Sequence, residues 1–96
     1  MATEQQVQKK ITNFLEKQGA YVVKVVSATK AGVPDILACY KGRFLGIEVK
    51  KPSTKNNTSK LQDYNLDKIV EASGLSCVAW EVDQVEDLLD LVDKTI

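Results

Sequence analysis

Three side chains near the middle of the sequence, Asp35, Glu48 and Lys50, have types and a spacing that suit metal-assisted hydrolysis. Two carboxylates that converge on one point, with a lysine beside them, form an oxygen-ligand site of the kind that Mg²⁺ or Mn²⁺ prefers. The chain contains no histidine. Histidine-based acid/base catalysis, Ser-His-Asp triads and His-ligated zinc sites are therefore excluded for this chain. Any hydrolytic chemistry would have to use carboxylates, lysine and a metal.

A predicted β-hairpin would bring these three side chains together. Residues 43–50 (RFLGIEVK) predict a strand whose apolar side chains point one way while Glu48 and Lys50 point the other. A Lys-Gly turn signal separates it from a strand predicted over 35–40 (DILACY). In an antiparallel hairpin the start of the first strand lies beside the end of the second. We therefore expect Asp35 to lie close to Glu48 and Lys50.

A plain salt bridge is the alternative explanation of this pattern. An acid and a lysine on one side of an apolar strand cost free energy unless they are solvated at a sheet edge or used in function. A surface ion pair of Asp35 or Glu48 with Lys50 would be common and would contribute little. Taken alone, the E-x-K pattern favours this simpler interpretation, so the surrounding sequence has to decide.

The remaining elements predict the order α-β-β-β-α-β-α. Ser59-Lys60-Leu61-Gln62 and Asp83-Gln84-Val85-Glu86 have the form of capping boxes that open the second and third helices. An antiparallel three-strand meander followed by a helical crossover to a fourth strand gives an α/β fold with a mixed central sheet flanked by helices, plus a C-terminal helix. The helices are expected over 3–18, from 59 to Gly74 and from 83 onward, and the strands over 20–26, 35–40, 43–50 and 76–82, with a loop over 51–58.

Length and composition limit the class of protein. Ninety-six residues fit a single domain, residues 1–96, and the apolar fraction of 44% is that of an ordinary globular chain. No run of eighteen apolar residues is present, and the first ten residues lack the apolar core of a secretion signal, which predicts a cytoplasmic protein with no membrane partner. Cys39 and Cys77 lie in apolar, strand-like stretches and are expected to be reduced and buried.

Charge is distributed unevenly along the chain. Residues 1–60 carry eleven Lys and Arg against four acids, a net charge of +7, whereas residues 61–96 carry two lysines against nine acids, a net charge of −7. This asymmetry favours a basic surface for a polyanion, although chance differences between solvated faces explain it equally well. The basic residues on strands and loops expected to adjoin the site are Lys24, Lys30, Lys41, Arg43, Lys51, Lys55 and Lys60.

Taken together, these segments resemble a known family. The run Gly32-Val33-Pro34-Asp35, followed by a strand, a turn and Glu48-Val49-Lys50, is similar to the G-x-P-D…E-x-K signature of PD-(D/E)XK nucleases. Within that superfamily it resembles the compact, stand-alone VRR-NUC group over nearly the whole chain. An early acid in the first helix, Glu4, and a glutamine near the start of the second, Gln62, extend the match. The resemblance implies a restriction-endonuclease-like αβββαβ core.

The resemblance also implies roles for individual residues. Asp35 and Glu48 would ligate Mg²⁺ or Mn²⁺, with the backbone carbonyl of Val49 as a further ligand. Lys50 would orient or deprotonate the attacking water and help neutralise the transition state, and we favour orientation, since a lysine at neutral pH is a poor base. Glu4 would complete the acidic site or hold a second metal, or it simply stabilises a helix N-terminus. Gln62 would reach toward the metal-bound water or the phosphate, or it simply closes its capping box.

DNA contacts are expected around this site. Lysines bind phosphates with a salt-dependent affinity, and the absence of an aromatic-interleaved basic motif argues against base-specific recognition. The loop 51–58 has the composition of an element that could close over DNA or of a solvated connector. The side chains proposed to contact DNA are Ser27, Thr29, Lys30, Lys51, Lys55 and Lys60.

The implied function is structure-specific cleavage of DNA in recombination or repair. The relation of the VRR-NUC group to archaeal Holliday junction resolvases suggests a homodimer that nicks a four-way junction symmetrically, in a prokaryotic or phage-infected cell. The alternatives are cleavage of flaps, forks or DNA ends, and a non-catalytic DNA-binding module of the same fold. A structural subunit that meets a partner through its acidic C-terminal helix is a third hypothesis.

Overall fold

The computed structural model describes residues 2–95 and contains three helices and one four-stranded sheet in the predicted order. A single 3₁₀ turn, Pro52–Thr54, lies in the predicted loop. The ends of the expected domain, residues 1 and 96, lie outside the described residues. The elements are α1 (Glu4–Lys17), β1 (Tyr21–Lys24), β2 (Ile36–Tyr40), β3 (Arg43–Val49), α2 (Lys60–Glu71), β4 (Leu75–Ala79) and α3 (Val82–Lys94).

The sheet confirms the predicted mixed topology. Its strand order is β1-β2-β3-β4, with β1, β2 and β3 antiparallel and β4 parallel to β3. The parallel pair requires a crossover, which α2 provides. The strand β3 consequently lies in the interior of the sheet with a hydrogen-bonded neighbour on each side, so its C-terminal end is not a sheet edge.

The two faces of the sheet are covered unequally. The face that carries Leu45, Ile47 and Val49 packs against α1 and α3 and holds the hydrophobic core. The opposite face carries Gly46 and Glu48 and is covered by α2, which packs on β3 and β4. The apolar stripes predicted for the outer helices supply the rest of the core: Val7, Ile11 and Leu15 from α1, and Val85, Leu88, Leu89 and Val92 from α3.

Local signals set most helix boundaries. Thr3 caps α1, and Ser59 caps α2 in the capping box predicted with Gln62. The box predicted at Asp83 is wrong: α3 begins at Val82 with Glu81 as its N-cap. The side-chain oxygen of Gln84 accepts hydrogen bonds from the backbone N–H groups of Trp80 at 3.0 Å and Glu81 at 2.8 Å. Gln84 thus fixes the start of the helix two residues earlier than the pattern indicated.

Two predictions on strand ends and cysteines also need correction. The strands β1 and β4 are shorter than predicted. The strand β1 ends at Lys24, which pairs with the first residue of β2, and β4 ends at Ala79, because Val82 already belongs to α3. Cys39 is exposed, since it lies on the sheet face opposite the core, beyond the strands that α2 covers. Cys77 is partly buried on the core face, and this burial raises the pKa of its thiol to about 12. The two thiols therefore lie on opposite sides of the sheet.

Among residues 2–95, none of the helices has the length and apolar character needed to cross a bilayer.

Candidate active site

The β2–β3 hairpin places Asp35 against the end of β3, as the sequence predicts. Asp35 immediately precedes β2, and the register pairs Ile36 with Ile47. The Oδ2 atom of Asp35 accepts a hydrogen bond from the backbone N–H of Val49 at 2.8 Å. This bond ties the aspartate to the strand segment that carries Glu48 and Lys50.

Gly32, the glycine of the G-x-P-D segment, packs too closely against α2 to carry a side chain. Gly32 has a φ of +79°, and a Cβ atom there would lie 2.7 Å from Cγ and 2.9 Å from the carbonyl oxygen of Leu61 in α2. Beside it, Nδ2 of Asn65 donates a hydrogen bond to the carbonyl of Ala31 at 3.1 Å. Only a residue without a side chain permits this approach, which holds the segment leading to Asp35 against α2.

Glu48 is a buried charged residue on an interior strand. It is 3% exposed, and its Oε2 atom accepts a hydrogen bond from Nε2 of Gln62 at 3.0 Å. The same oxygen lies 3.8 Å from Nζ of Lys50, whose side chain is 14% exposed. The ion pair considered from the sequence therefore exists, but it is neither at the surface nor at a sheet edge. Solvation at a sheet edge therefore does not explain how Glu48 is accommodated.

The surroundings of Glu48 disfavour its charged form. Burial raises its pKa from 4.5 to about 8, and the nearby Asp35 carboxylate adds to the increase. Lys50 opposes the change, while Glu4 contributes a smaller increase of the same sign as Asp35. A cation that binds beside such a carboxylate favours its charged form. Strongly perturbed acids of this kind concentrate at functional sites.

Gln62 closes its predicted capping box and also contacts Glu48, while a contact with metal-bound water or a phosphate stays a prediction. Its Oε1 atom accepts from the backbone N–H of Ser59 at 3.0 Å, which closes the capping box at the start of α2. Its Nε2 atom donates to Glu48. The capping bond fixes the amide orientation, so that the donor end faces the carboxylate. Gln62 therefore closes the capping box of α2 and also orients the carboxylate of Glu48.

Glu4 is the first residue of α1 and lies half-buried. The capping box of this helix is made by Thr3 and Gln6, so Glu4 is available to act on the site through its negative charge. It lines a cavity of about 280 Å³ together with Lys51, the residue that follows Lys50. The structure thus places Glu4 beside the site, whereas its direct contact with a metal stays a prediction.

The basic residues divide into two groups. Lys41 and Arg43 lie at the opposite end of β3 from Glu48, where Lys41 binds Asp93 and Arg43 donates to Ser73 and Thr95. Our expectation that these two adjoin the site is wrong, because the hairpin turn and the strand end lie at opposite ends of β3. Lys24 is paired with Ile36 at the end of β1 and lies beside α1.

The other expected DNA contacts lie on exposed connections. Ser27, Thr29 and Lys30 belong to the segment between β1 and β2, and Lys51 and Lys55 flank the 3₁₀ turn. Lys60 is the first residue of α2. All six side chains stay predictions as DNA ligands.

Trp80 is a site neighbour that the sequence analysis missed. It directly follows Ala79, whose carbonyl accepts a hydrogen bond from the backbone N–H of Lys50 at 2.9 Å. The Nζ atom of Lys55 lies 5.1 Å from the centroid of its ring. No sequence signal links Trp80 to Lys50, because their proximity arises from the parallel pairing of β3 with β4.

The donor set suits a hard divalent cation. Asp35, Glu48 and a backbone carbonyl would offer the oxygen atoms that such a cation prefers. Burial first, and the neighbouring Asp35 carboxylate second, raise the pKa of Glu48, and a bound cation would offset this cost of its charged form. Within residues 2–95, no three Asp, Glu or Cys side chains are arranged as a metal-binding group. The metal ligands expected from the sequence, Asp35, Glu48 and the Val49 carbonyl, therefore stay predictions.

Comparison with known proteins supports the resemblance. The sequence matches the family described as archaeal Holliday junction resolvase (Hjc) over residues 3–93. A solved structure described as "VRR_NUC domain" is 27% identical with a TM-score of 0.70, covering 93% of this chain and 97% of that chain. A second, "VRR_NUC domain protein", is 21% identical with a TM-score of 0.73, covering 93% and 86%, and supports the fold alone. No protein of curated function matches the sequence. The predicted α/β nuclease-like fold is confirmed.

Proposed function

Because the chain belongs to the archaeal Holliday junction resolvase family, we propose that it is a divalent-metal-dependent endonuclease that hydrolyses phosphodiester bonds of branched DNA. The observation that carries the proposal is Glu48, a carboxylate buried to 3% exposure on an interior strand. Asp35, Lys50 and Gln62 surround it. A purely structural position would favour an apolar residue there, since burying a charge is costly.

Asp35, Glu48 and the carbonyl of Val49 would hold Mg²⁺ or Mn²⁺, with Glu4 as an additional ligand. When bound, such an ion polarises the phosphoryl oxygen and lowers the pKa of water. Lys50 lies on the same side of β3 as Glu48, where its ammonium group would orient the attacking water and offset the charge of the transition state. Gln62 would keep the Glu48 carboxylate in one orientation, because its own amide is fixed by Ser59.

The preferred substrate in this proposal is a four-way DNA junction cleaved by a homodimer. A C₂ dimer would present two sites and so could nick two strands symmetrically. Exposed apolar side chains of the sheet face opposite the core offer a surface for the second copy: Tyr21 is 75%, Val23 42% and Phe44 48% exposed. Phe44 also lines a groove of about 430 Å³ against α2. Exposed aromatic surface of this kind is typical of interfaces.

The catalytic proposal is tested with labelled four-way junction, flap, fork and linear duplex in Mg²⁺, Mn²⁺ or EDTA. The unmutated protein should cleave with metal and not in EDTA, and Glu48→Ala and Lys50→Ala should each lower the rate at least a hundredfold while DNA binding persists. Cleavage of flaps with intact junctions would remove only the resolvase assignment. DNA binding without cleavage under any metal would instead establish the non-catalytic module.

The positioning role of Gln62 has a matched control in Ser59. Ser59→Ala removes the hydrogen bond that the Ser59 hydroxyl accepts from the backbone N–H of Gln62 at 3.1 Å and should cost about 1 kcal/mol of stability. Its effect on cleavage should be small, because the backbone N–H of Ser59 still holds the Gln62 amide. Gln62→Ala instead loses the side-chain bonds to the Ser59 backbone N–H and to Glu48, and it should lower the cleavage rate far more than Ser59→Ala at comparable stability. Equal cleavage by the two variants would limit Gln62 to its capping role.

The dimer surface is tested by size measurement at micromolar concentration. Phe44→Glu should convert the dimer to a monomer, because it places charge in the apolar surface. Leu91→Glu is the matched control, since Leu91 is 51% exposed on α3, away from this sheet face. A monomeric unmutated protein, or dissociation by Leu91→Glu and not by Phe44→Glu, would contradict the assignment.

A further inference from the structure

An apolar cavity of about 340 Å³ is lined by Pro52 and Trp80, which follow closely after Lys50 and its hydrogen-bond partner Ala79. Its wall includes the indole of Trp80, and its size is at the small end for ligand sites, which suits a single compact, flat group. Its apolar lining comes from three parts of the chain, the start of α1, the 3₁₀ turn and the junction of β4 with α3: Ala2, Val7, Pro52, Trp80 and Val82.

Two of the residues that line the cavity lie close to Lys50 along the backbone. Pro52 lies two residues after Lys50, and Trp80 directly follows Ala79, whose carbonyl binds the backbone N–H of Lys50. Lys51, between Lys50 and Pro52, lines the neighbouring cavity with Glu4. A nucleotide next to a phosphate held at Lys50 would therefore lie close to the chain segments that carry Pro52 and Trp80.

The charges at the rim suit a nucleotide better than a plain apolar ligand. Lys10 lines the cavity, and the ammonium group of Lys55 lies 5.1 Å from the centroid of the Trp80 ring. These cations can neutralise a DNA backbone phosphate. Glu81 is the acid of the lining, and its carboxylate can accept a hydrogen bond from an exocyclic amino group of a base.

We propose that this cavity binds one unpaired nucleobase of the DNA substrate, stacked on Trp80, next to the phosphate that is cleaved. The inference rests on the proposed nuclease function and deepens it by specifying the substrate. Aromatic stacking accepts every base, because each base has a π face. DNA with an unpaired or unstacked nucleotide at the cleavage position, as at a branch point, would then bind more tightly than continuous duplex.

Trp80 reports on this site directly, because it is the single tryptophan of the chain. Its fluorescence is followed in EDTA, where cleavage is not expected, during titration with three DNAs of equal length. These are a continuous duplex, a duplex with three unpaired nucleotides in one strand, and the same molecule with abasic sites at those positions. The molecule with unpaired bases should quench Trp80 most and bind at least about tenfold more tightly than the abasic one. Equal quenching and affinity for these two would overturn the proposal.

A variant pair separates stacking from general aromatic–cation effects. Trp80→Leu keeps an apolar side chain and should remove the preference for unpaired bases over abasic sites. Tyr64→Leu is the control, because Tyr64 is an exposed aromatic residue on α2 with Nζ of Lys68 5.7 Å from its ring centroid. That variant should keep the preference, and a Trp80→Leu protein that also keeps it would refute the assignment.

Failure of this inference is distinguishable from failure of the nuclease proposal. If the unmutated protein cleaves branched DNA with metal but does not discriminate abasic DNA, only the base-binding cavity is refuted. If it discriminates abasic DNA and never cleaves, the cavity stands as a DNA-binding site and the nuclease proposal falls.

Discussion

Replacement of Glu48 by glutamine should stabilise the metal-free protein, and the gain should grow with pH. Glutamine has nearly the same shape as glutamate, and its side-chain oxygen can still accept the hydrogen bond from Gln62. What it removes is the negative charge that is buried at 3% exposure and faces Asp35. The substitution therefore isolates the cost of that charge.

The sign and size follow from the pKa of Glu48, which lies at about 8 in the folded protein against an ordinary value of 4.5. Between these two values the folded state binds more protons than the unfolded state, so stability falls as pH rises and then levels off above pH 8. At about 1.36 kcal/mol per pH unit, the full difference corresponds to about 4–5 kcal/mol. At pH 9 we expect the free energy of unfolding of Glu48→Gln to exceed that of the unmutated protein by at least about 2 kcal/mol, which corresponds to a rise in Tm of about 8–16 °C.

The assay is thermal and urea denaturation in EDTA from pH 5 to pH 9. The difference between Glu48→Gln and the unmutated protein should widen up to pH 8, and Mn²⁺ should narrow it by stabilising the protein that keeps its carboxylate. Glu16→Gln, at an exposed position on α1, controls for loss of one negative charge. Parallel stability curves for Glu48→Gln and the unmutated protein over this pH range would refute the reasoning.

Two further predictions test the packing around the site and the two cysteines. Gly32 and Gly42 have nearly equal φ angles of +79° and +81°, but only Gly32 packs against α2. Alanine at Gly42 should therefore cost about 1–2 kcal/mol of backbone strain, and alanine at Gly32 about 1–3 kcal/mol more; equal urea midpoints for the two variants would contradict this packing. A thiol reagent should modify Cys39 rapidly in the native protein and Cys77 only after unfolding, because Cys39 is exposed while burial raises the pKa of Cys77 to about 12. Modification of both thiols in the native state, measured by mass spectrometry, would contradict the burial of Cys77.

Short-range patterns in the sequence were sufficient to predict the elements and the pair of carboxylates. The alternation along residues 43–50 placed Glu48 and Lys50 on one face, and the hairpin turn brought Asp35 beside them, because both depend only on strand geometry and on neighbouring segments. The capping box at Ser59 was likewise visible, since its partners lie three residues apart. Charge along the chain, by contrast, misassigned Lys41 and Arg43 to the site.

The tertiary structure determined the burial and the contacts of those residues. Glu48 is buried because β4 pairs with β3 and α2 covers that part of the sheet, and a pattern within β3 cannot reveal either neighbour. Gln62 meets Glu48, and Trp80 lies beside Lys50, through contacts between segments distant in sequence. Cys39 is exposed because α2 packs on β3 and β4, which leaves this part of the sheet face open. The sequence by itself determined which side chains share a face of the sheet. Burial and long-range contacts depend on how the elements pack, and they raise the pKa of one of those side chains, Glu48.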